Sequence, residues 1–191
     1  MLRLIRQNDM VEGPWRNGMG VSWEIASYRE PNAAEFSWRF AKARIDRDVP
    51  FSIYPGIDRI FMQLSGNGLD LEFEGGKKIE VHESFVPHSF ACDLPLNCKL
   101  RNGPCFDLNL FTVRGAFRSE PRVMSVGGSK GIEVANLDAV FFALRGAIRL
   151  SGRDQAITLN EGDAALAFEG ETQLLITATD ATLFVGLLHR L

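Results

Sequence analysis

The sequence predicts an all-β protein arranged as two β-barrels in one chain. Among 191 residues there are 14 Phe and 18 Gly but only 2 Tyr, a balance that suits many short strands joined by tight turns. Short alternating apolar runs recur at about ten-residue spacing, the signature of a sandwich or small barrel. Finally, Phe61-Met62-Gln63-Leu64-Ser65-Gly66 returns as Phe141-Phe142-Ala143-Leu144-Arg145-Gly146 at an offset of 80, which argues for two copies of one β-unit. The expected division is 1–118 for a first barrel with a polar pocket and 119–191 for a plainer second one, with the N-terminal strand open to sharing.

Composition narrows the function classes. With 46% hydrophobic and 24% charged residues, the chain falls in neither the disordered nor the membrane class. A net charge of -3 and no block of Lys or Arg leave nothing to neutralise a run of phosphates, so nucleic acid is not expected as a direct partner. No run approaches the roughly 18 apolar residues of a membrane helix, and Met1 to Asp9 has no small-residue cleavage site; no membrane association and a cytoplasmic location are expected. Cys92, Cys98 and Cys105 are odd in number and lack CxxC pairing, so they read as buried reduced thiols.

In chain order, a strand is expected at Leu2 to Arg6, then a constrained turn at Pro14-Trp15-Arg16-Asn17-Gly18-Met19-Gly20 feeding a strand from Val21 to Tyr28, which carries Glu24. Pro14 fixes φ, and Gly18 and Gly20 permit angles or close approaches that a Cβ forbids. Such a turn either plugs the end of a core with Trp15 or forms a ligand-binding lip. Phe36 to Ile45 alternates, with Phe36, Trp38 and Phe40 on one face and Ser37, Arg39, Ala41 and Ala43 on the other. Flanked by such small residues, Arg39 either stands in a cavity or pairs with an acid.

Pro55-Gly56 reads as a turn delivering Asp58 and Arg59 to the strand Ile60 to Leu64. Neighbouring strand residues face opposite ways, and Arg59 is the one expected inside. Strands follow at Leu69 to Glu74, Lys78 to Val81, Ser84 to Val86, Leu96 to Leu100 and Phe106 to Val113. In the last of these Asp107 and Asn109 share one face and Leu108 and Leu110 the other. A polar face on a central strand must open onto a wet or liganded interior, because an unpaired buried carboxylate is costly.

In the second copy, Leu174 to Ala178 loosely answers Leu96 to Leu100. The strand, Gly-Asp turn, strand pattern from Ile157 to Leu166 resembles the second motif of cupin barrels, the RmlC-like jelly roll. The copies are chemically unequal, because the closing strand Ala181 to Leu187 carries no charge where the first copy has Asp107 and Asn109.

Many cupins hold a metal through a His-x-His pair, a Glu and a distant His. This chain has only His82, His88 and His189, with no such pair, so neither a metal nor another cofactor is expected. It also lacks a GxSxG elbow, a P-loop and a GxGxxG fingerprint. The remaining inventory suits binding: Arg39 and Arg59 to clamp a carboxylate, Asn17, Asn109 and Asp107 to fix amide or hydroxyl groups, and Trp15 to cover a flat ligand.

Taken together, Pro14 to Gly20 with Glu24-Ile25, Phe36-Ser37-Trp38-Arg39, Phe51 to Arg59, and Gly103 to Asn109 with Arg114-Gly115 resemble the HutD/Ves family of bicupin proteins. The motif match covers most of residues 10–115. Arg16 and Met19 stand where that family commonly has Lys and a third Gly. The resemblance implies a cytoplasmic protein of bacterial histidine utilisation that binds urocanate or formylglutamate and limits pathway expression, with no established enzymatic activity. The ligand-binding set it suggests is Trp15, Asn17, Glu24, Arg39, Arg59, Asp107, Asn109 and Arg114. The alternative is a metal-independent isomerase or hydrolase using Asp107 or Glu24 as acid or base; a homodimer is also left open.

Overall fold

A computed structural model describes residues 1–31, 33, 35–135, 137–168 and 171–191. Strand accounts for 63% of the chain and helix for 2%, far from the third or so of helix in an ordinary globular protein; the all-β expectation holds. Two compact units emerge: a central one, Val11–Phe117, and a terminal one combining Met1–Met10 with Arg118–Leu191. In the terminal unit, β1 (Leu2–Ile5) is followed by a short 3-10 turn, Gln7–Asp9.

The central unit contains β2 (Val11–Pro14), β3 (Val21–Tyr28), β4 (Trp38–Ile45), β5 (Val49–Pro50), β6 (Ile57–Ser65), β7 (Leu69–Phe73), β8 (Lys78–Val81), β9 (Pro87–Ala91), β10 (Leu96–Leu100) and β11 (Cys105–Val113). They form a six-stranded sheet, β2-β3-β4-β11-β6-β9, and a four-stranded one, β5-β10-β7-β8. Phe61 and Phe111 of the first sheet share one buried cluster with Leu69, Leu71 and Cys98 of the second, so the apolar faces of both sheets meet in one interior. Over much of their length β4, β6 and β11 are buried on both faces: Trp38, Phe40, Ile60, Met62, Leu108 and Leu110 alternate with the residues that point into that interior, while the outer face of β4 becomes half-buried at Lys42 and exposed at Arg44.

The terminal unit adds β12 (Phe117–Glu133), β13 (Asp138–Arg145), β14 (Ile148–Ser151), β15 (Ala156–Leu159), β16 (Ala164–Ala167) and β17 (Gln173–Arg190). These and β1 make a seven-stranded sheet. The repeat read from the sequence has a structural counterpart. Strand β6 lies between β11 and β9, and β13 lies between β17 and β16. Strand β7 pairs with β8 and β10, and β14 pairs with β15 and β17. The roles of β10 and β11 are thus both taken by β17, whose N-terminal half pairs with β14 and whose C-terminal half pairs with β13.

Two local expectations need correction, and one strand was not anticipated. The strand placed at Ser84 to Val86 lies instead at Pro87–Ala91, because Phe85 adopts φ 69 and turns the chain while its N–H reaches Gln63 O at 2.9 Å. Phe36 does not share a face with Trp38, since β4 begins at Trp38 and Phe36 packs against Tyr54 and Phe111 in the interior. The 17-residue strand β12 went unread; its exposed polar residues and Gly127-Gly128 hide the alternation.

Candidate functional site

The interior of the central unit opens into a cavity of about 40 Å³, several times the roughly 10–15 Å³ that one water needs. Register explains why it exists. On β4, Ala41 and Ala43 sit opposite Asn109 and Asp107 of β11, and short side chains beside long ones leave space. Trp15, Phe51, Tyr54 and Phe111 wall the cavity with rings, while Ser22, Ser52, Arg39, Arg59 and Asn109 supply its polar groups.

Arg59 is the centre of the site. Its guanidinium carbon lies 4.5 Å from the Phe51 ring centroid, 5.1 Å from those of Phe61 and Phe111, and 5.7 Å from that of Phe90. Such a cage favours a cation through the ring quadrupoles, although burial still pulls the Arg59 pKa down from its ordinary value. One edge of the guanidinium is fixed: Nε at 2.8 Å and Nη2 both donate to Asn109 Oδ1. Asn109 Nδ2 in turn donates to Asp107 Oδ1, which lies 3.8 Å from Arg59 Nη2. Nη1 of Arg59 has no hydrogen-bond partner among the described residues.

Asp107 is 0% exposed and is not part of the cavity wall. Burial pushes its carboxyl up to about 6, against the opposing pull of Arg59 and the Asn109 hydrogen bond. For both members of this pair, then, desolvation outweighs mutual attraction, as expected where two charges leave water for a packed interior.

Arg39 faces the same cavity from β4. Glu24 on β3 reaches its Nε at 2.9 Å, and Ser22 Oγ accepts from Nη2 at 3.5 Å. The Glu24 contact is close but poorly aligned, an ion pair rather than a directed hydrogen bond. A register shift between Glu24 and Ala26 sets Ser27 opposite Arg39, and the Ser27 hydroxyl donates to Glu24 Oε1 at 2.8 Å. The sequence left Arg39 between a cavity and an acid partner; it has both.

Trp15 forms one wall. Its Nε1 donates to Val21 O at 3.0 Å and its ring meets Phe51 edge-on at 5.8 Å. Gly20 must be glycine here, because a Cβ would stand 2.5 Å from the indole. Asn17 is near but elsewhere: Nδ2 donates to Pro50 O at 2.8 Å, Oδ1 accepts from Met19 N at 3.1 Å, and its backbone N–H reaches Ser52 Oγ at 3.3 Å. Its side chain is occupied in fastening the turn to Pro50 and to its own Met19 N–H and does not line the cavity. Arg114 is exposed and pairs with Asp58 at 2.6 Å and Asp93 at 2.8 Å, away from the cavity.

Of the eight residues picked from the sequence, Trp15, Arg39, Arg59 and Asn109 line the cavity, Asp107 and Glu24 buttress its two arginines, and Asn17 and Arg114 lie outside it. Ser22, Phe51, Ser52 and Tyr54 were missed as lining residues. The signal for Phe51, Ser52 and Tyr54 was present in the Phe51 to Gly56 stretch, but an aromatic there reads equally as core; Ser22, on β3, gave none. The three thiols are buried and free. Asp70, Glu80 and His82 form the one metal-compatible group among the described residues, yet Lys78 Nζ lies 3.2 Å and Arg101 Nη2 3.1 Å from Asp70, so cations already occupy its carboxylate. Among the described residues no helix is long and apolar enough to cross a membrane.

The model of the HutD family matches residues 7–184. An uncharacterised 21.2 kDa protein of the hutC 3' region in Pseudomonas putida is 28% identical over 177 residues, covering 91% of this chain and 90% of the relative. Protein Ves of Citrobacter koseri is 31% identical over 155 residues, covering 78% of this chain and 74% of Ves. Among solved structures, a conserved protein of unknown function from Pseudomonas aeruginosa superposes with a TM-score of 0.88 at 26% identity, with 98% of each chain covered. HutD from Pseudomonas fluorescens (formate condition) gives 0.81 at 23% identity, covering 99% of this chain and all of that one. A cupin barrel protein from Leptotrichia buccalis gives 0.63 at 13% identity, covering 98% and 96%, and the fold is cupin-like.

Proposed function

Because the chain belongs to the HutD family, we propose that it is a non-catalytic regulatory protein of histidine utilisation that holds a small carboxylate in the cavity of its central unit. The observation that carries this reading is Arg59: a desolvated guanidinium on the cavity wall, caged by four phenylalanines, with one edge committed to Asn109 and Nη1 without a protein partner among the described residues. A carboxylate there would gain charge-assisted hydrogen bonds in a weakly polar setting. Arg39 adds a second cation to the same wall, and the rings of Trp15 and Tyr54 offer flat cover to the rest of the ligand.

Urocanate and formylglutamate both fit this chemistry, each joining a carboxylate to a flat or amide portion. The names of the relatives, one tied to the hutC region and one called HutD, support histidine utilisation as the setting; a cytoplasmic location and control of pathway expression as the output are part of the proposal. An isomerase or hydrolase is the weaker reading, since Asp107 lies behind Asn109 and Glu24 is engaged by Arg39 and Ser27. Thermal-shift titration with urocanate, formylglutamate and the uncharged amide of each tests the proposal. The acids should raise the melting temperature and the amides should not; no shift with either acid would refute it.

A further inference from the structure

Asp107 touches neither the cavity nor solvent, yet it is tied to the wall. Oδ1 accepts from Asn109, and Oδ2 is buried with no hydrogen-bond partner among the described residues. Around it stand Asn109 and Cys105 on β11, Arg59 and Gln63 on β6, Ala43 on β4 and Cys98 on β10, with Cys92 and Tyr54 facing Arg59 from its far side. Burial pushes the Cys92 thiol up to about 11 and the Cys98 and Cys105 thiols upward as well, so these cysteines are neutral near pH 7. Arg39 already has an acid of its own, Glu24. Within this cluster, the negative charge of Asp107 is therefore answered by Arg59 alone among the described residues.

An anion that enters the cavity and binds Arg59 adds a second negative charge to the same guanidinium. The buried carboxylate then loses part of its compensation, and like charge nearby favours its neutral form. Protonation at Oδ2 relieves this without disturbing the geometry, because Oδ1 keeps its bond from Asn109 Nδ2. The proton comes from solvent, and nothing else is exchanged. Burial has already moved Asp107 to about 6 in the empty site, so a modest further rise brings it into the neutral range.

We propose that Asp107 is a positioning residue for the carboxylate site: it acts on Arg59 through Asn109, and a carboxylate that binds Arg59 is accompanied by a proton taken up on the Asp107 carboxyl. The proposal rests on the carboxylate-binding reading above and adds a linked equilibrium to it. Affinity then rises as pH falls from about 8 towards 6, with a slope approaching tenfold per pH unit for one proton taken up, and it levels off below the pKa of the empty site.

The test is calorimetric titration with formylglutamate, and with cinnamate as a flat monocarboxylate, in phosphate and in Tris at several pH values from 7 to 8. Neither compound titrates in this range, and the two buffers differ in ionisation heat. The wild-type protein should take up a fraction of a proton per ligand, reaching at most one, and Asp107→Asn should bind with no uptake and an affinity flat with pH. Binding to the wild type with no uptake overturns the proposal while leaving the carboxylate site standing; uptake retained in Asp107→Asn overturns it too. Should Asp107→Asn fail to fold, the wild-type proton count decides alone. Absence of binding by both compounds removes the carboxylate reading and this proposal together.

Discussion

Asn109 stands between Arg59 and Asp107, accepting two guanidinium donors on Oδ1 and donating from Nδ2 to the carboxylate. One neutral amide thus orders two buried charges that by themselves lie 3.8 Å apart. Replacing it with an apolar residue of similar size strips partners from both. Asn109→Leu should lower stability by about 3–5 kcal/mol, the range seen when a buried charge loses its partner, as measured by urea unfolding. A loss under about 1 kcal/mol would mean that water or a side-chain rearrangement replaces the amide.

The raised pKa of Asp107 makes stability depend on pH with a definite sign. Between the ordinary carboxylate value of 3.8 and about 6, the folded state holds more protons on this group than the unfolded one. Its contribution is therefore fully present below about 4 and is lost as pH rises through 6. The difference is worth about 3 kcal/mol at one pKa unit per 1.36 kcal/mol. Asp107→Asn should remove this dependence: plotted against pH, the wild-type minus variant stability should fall between pH 4 and 7. A flat difference would place the carboxyl near its unperturbed value.

Gly20→Ala places a methyl group 2.5 Å from the Trp15 ring, so the indole must move off the cavity wall. Overpacking of this kind typically costs about 1–3 kcal/mol, and ligand affinity should fall with it. A variant of unchanged melting temperature and affinity would show that Trp15 does not shape the site.

Asn17→Ala removes the bonds to Pro50 O and Met19 N without touching the cavity. Stability should drop by about 1 kcal/mol, and carboxylate affinity should fall less than in Arg39→Ala. Loss of affinity as large as that of Arg39→Ala would instead assign Asn17 a ligand contact.

Much of the architecture was legible because it rests on local period. Alternation located β3, β8 and β10 to the residue, and the echo of Phe61 to Gly66 in Phe141 to Gly146 anticipated the matching neighbours of β6 and β13. What period cannot give is which side chains meet across strands. Alternation put one of Asp58 and Arg59 inside, and Arg59 was the one expected there, but the four rings around it come from β6, β9, β11 and the stretch before the Pro55-Gly56 turn, and only folding brings them together. Asn17 stood out for its place on a glycine-rich turn; that density reflects a turn fastening itself to Pro50 and Ser52. Arg114 stood out by family motif, and its partners Asp58 and Asp93 are too distant in sequence to be read from it.

The central claim, a carboxylate held by Arg39 and Arg59, is tested most directly by calorimetric titration of urocanate and formylglutamate into the wild type, Arg39→Ala, Arg59→Ala and Arg114→Ala, with circular dichroism to confirm folding. Losing a charge-assisted hydrogen bond costs about 1.5–3 kcal/mol, so affinity for the ligand that binds should fall by about 10- to 150-fold in Arg39→Ala and Arg59→Ala. Arg114, exposed and paired with Asp58 and Asp93, serves as the control, and Arg114→Ala should bind as the wild type does. Unchanged affinity in folded Arg39→Ala and Arg59→Ala would contradict the account.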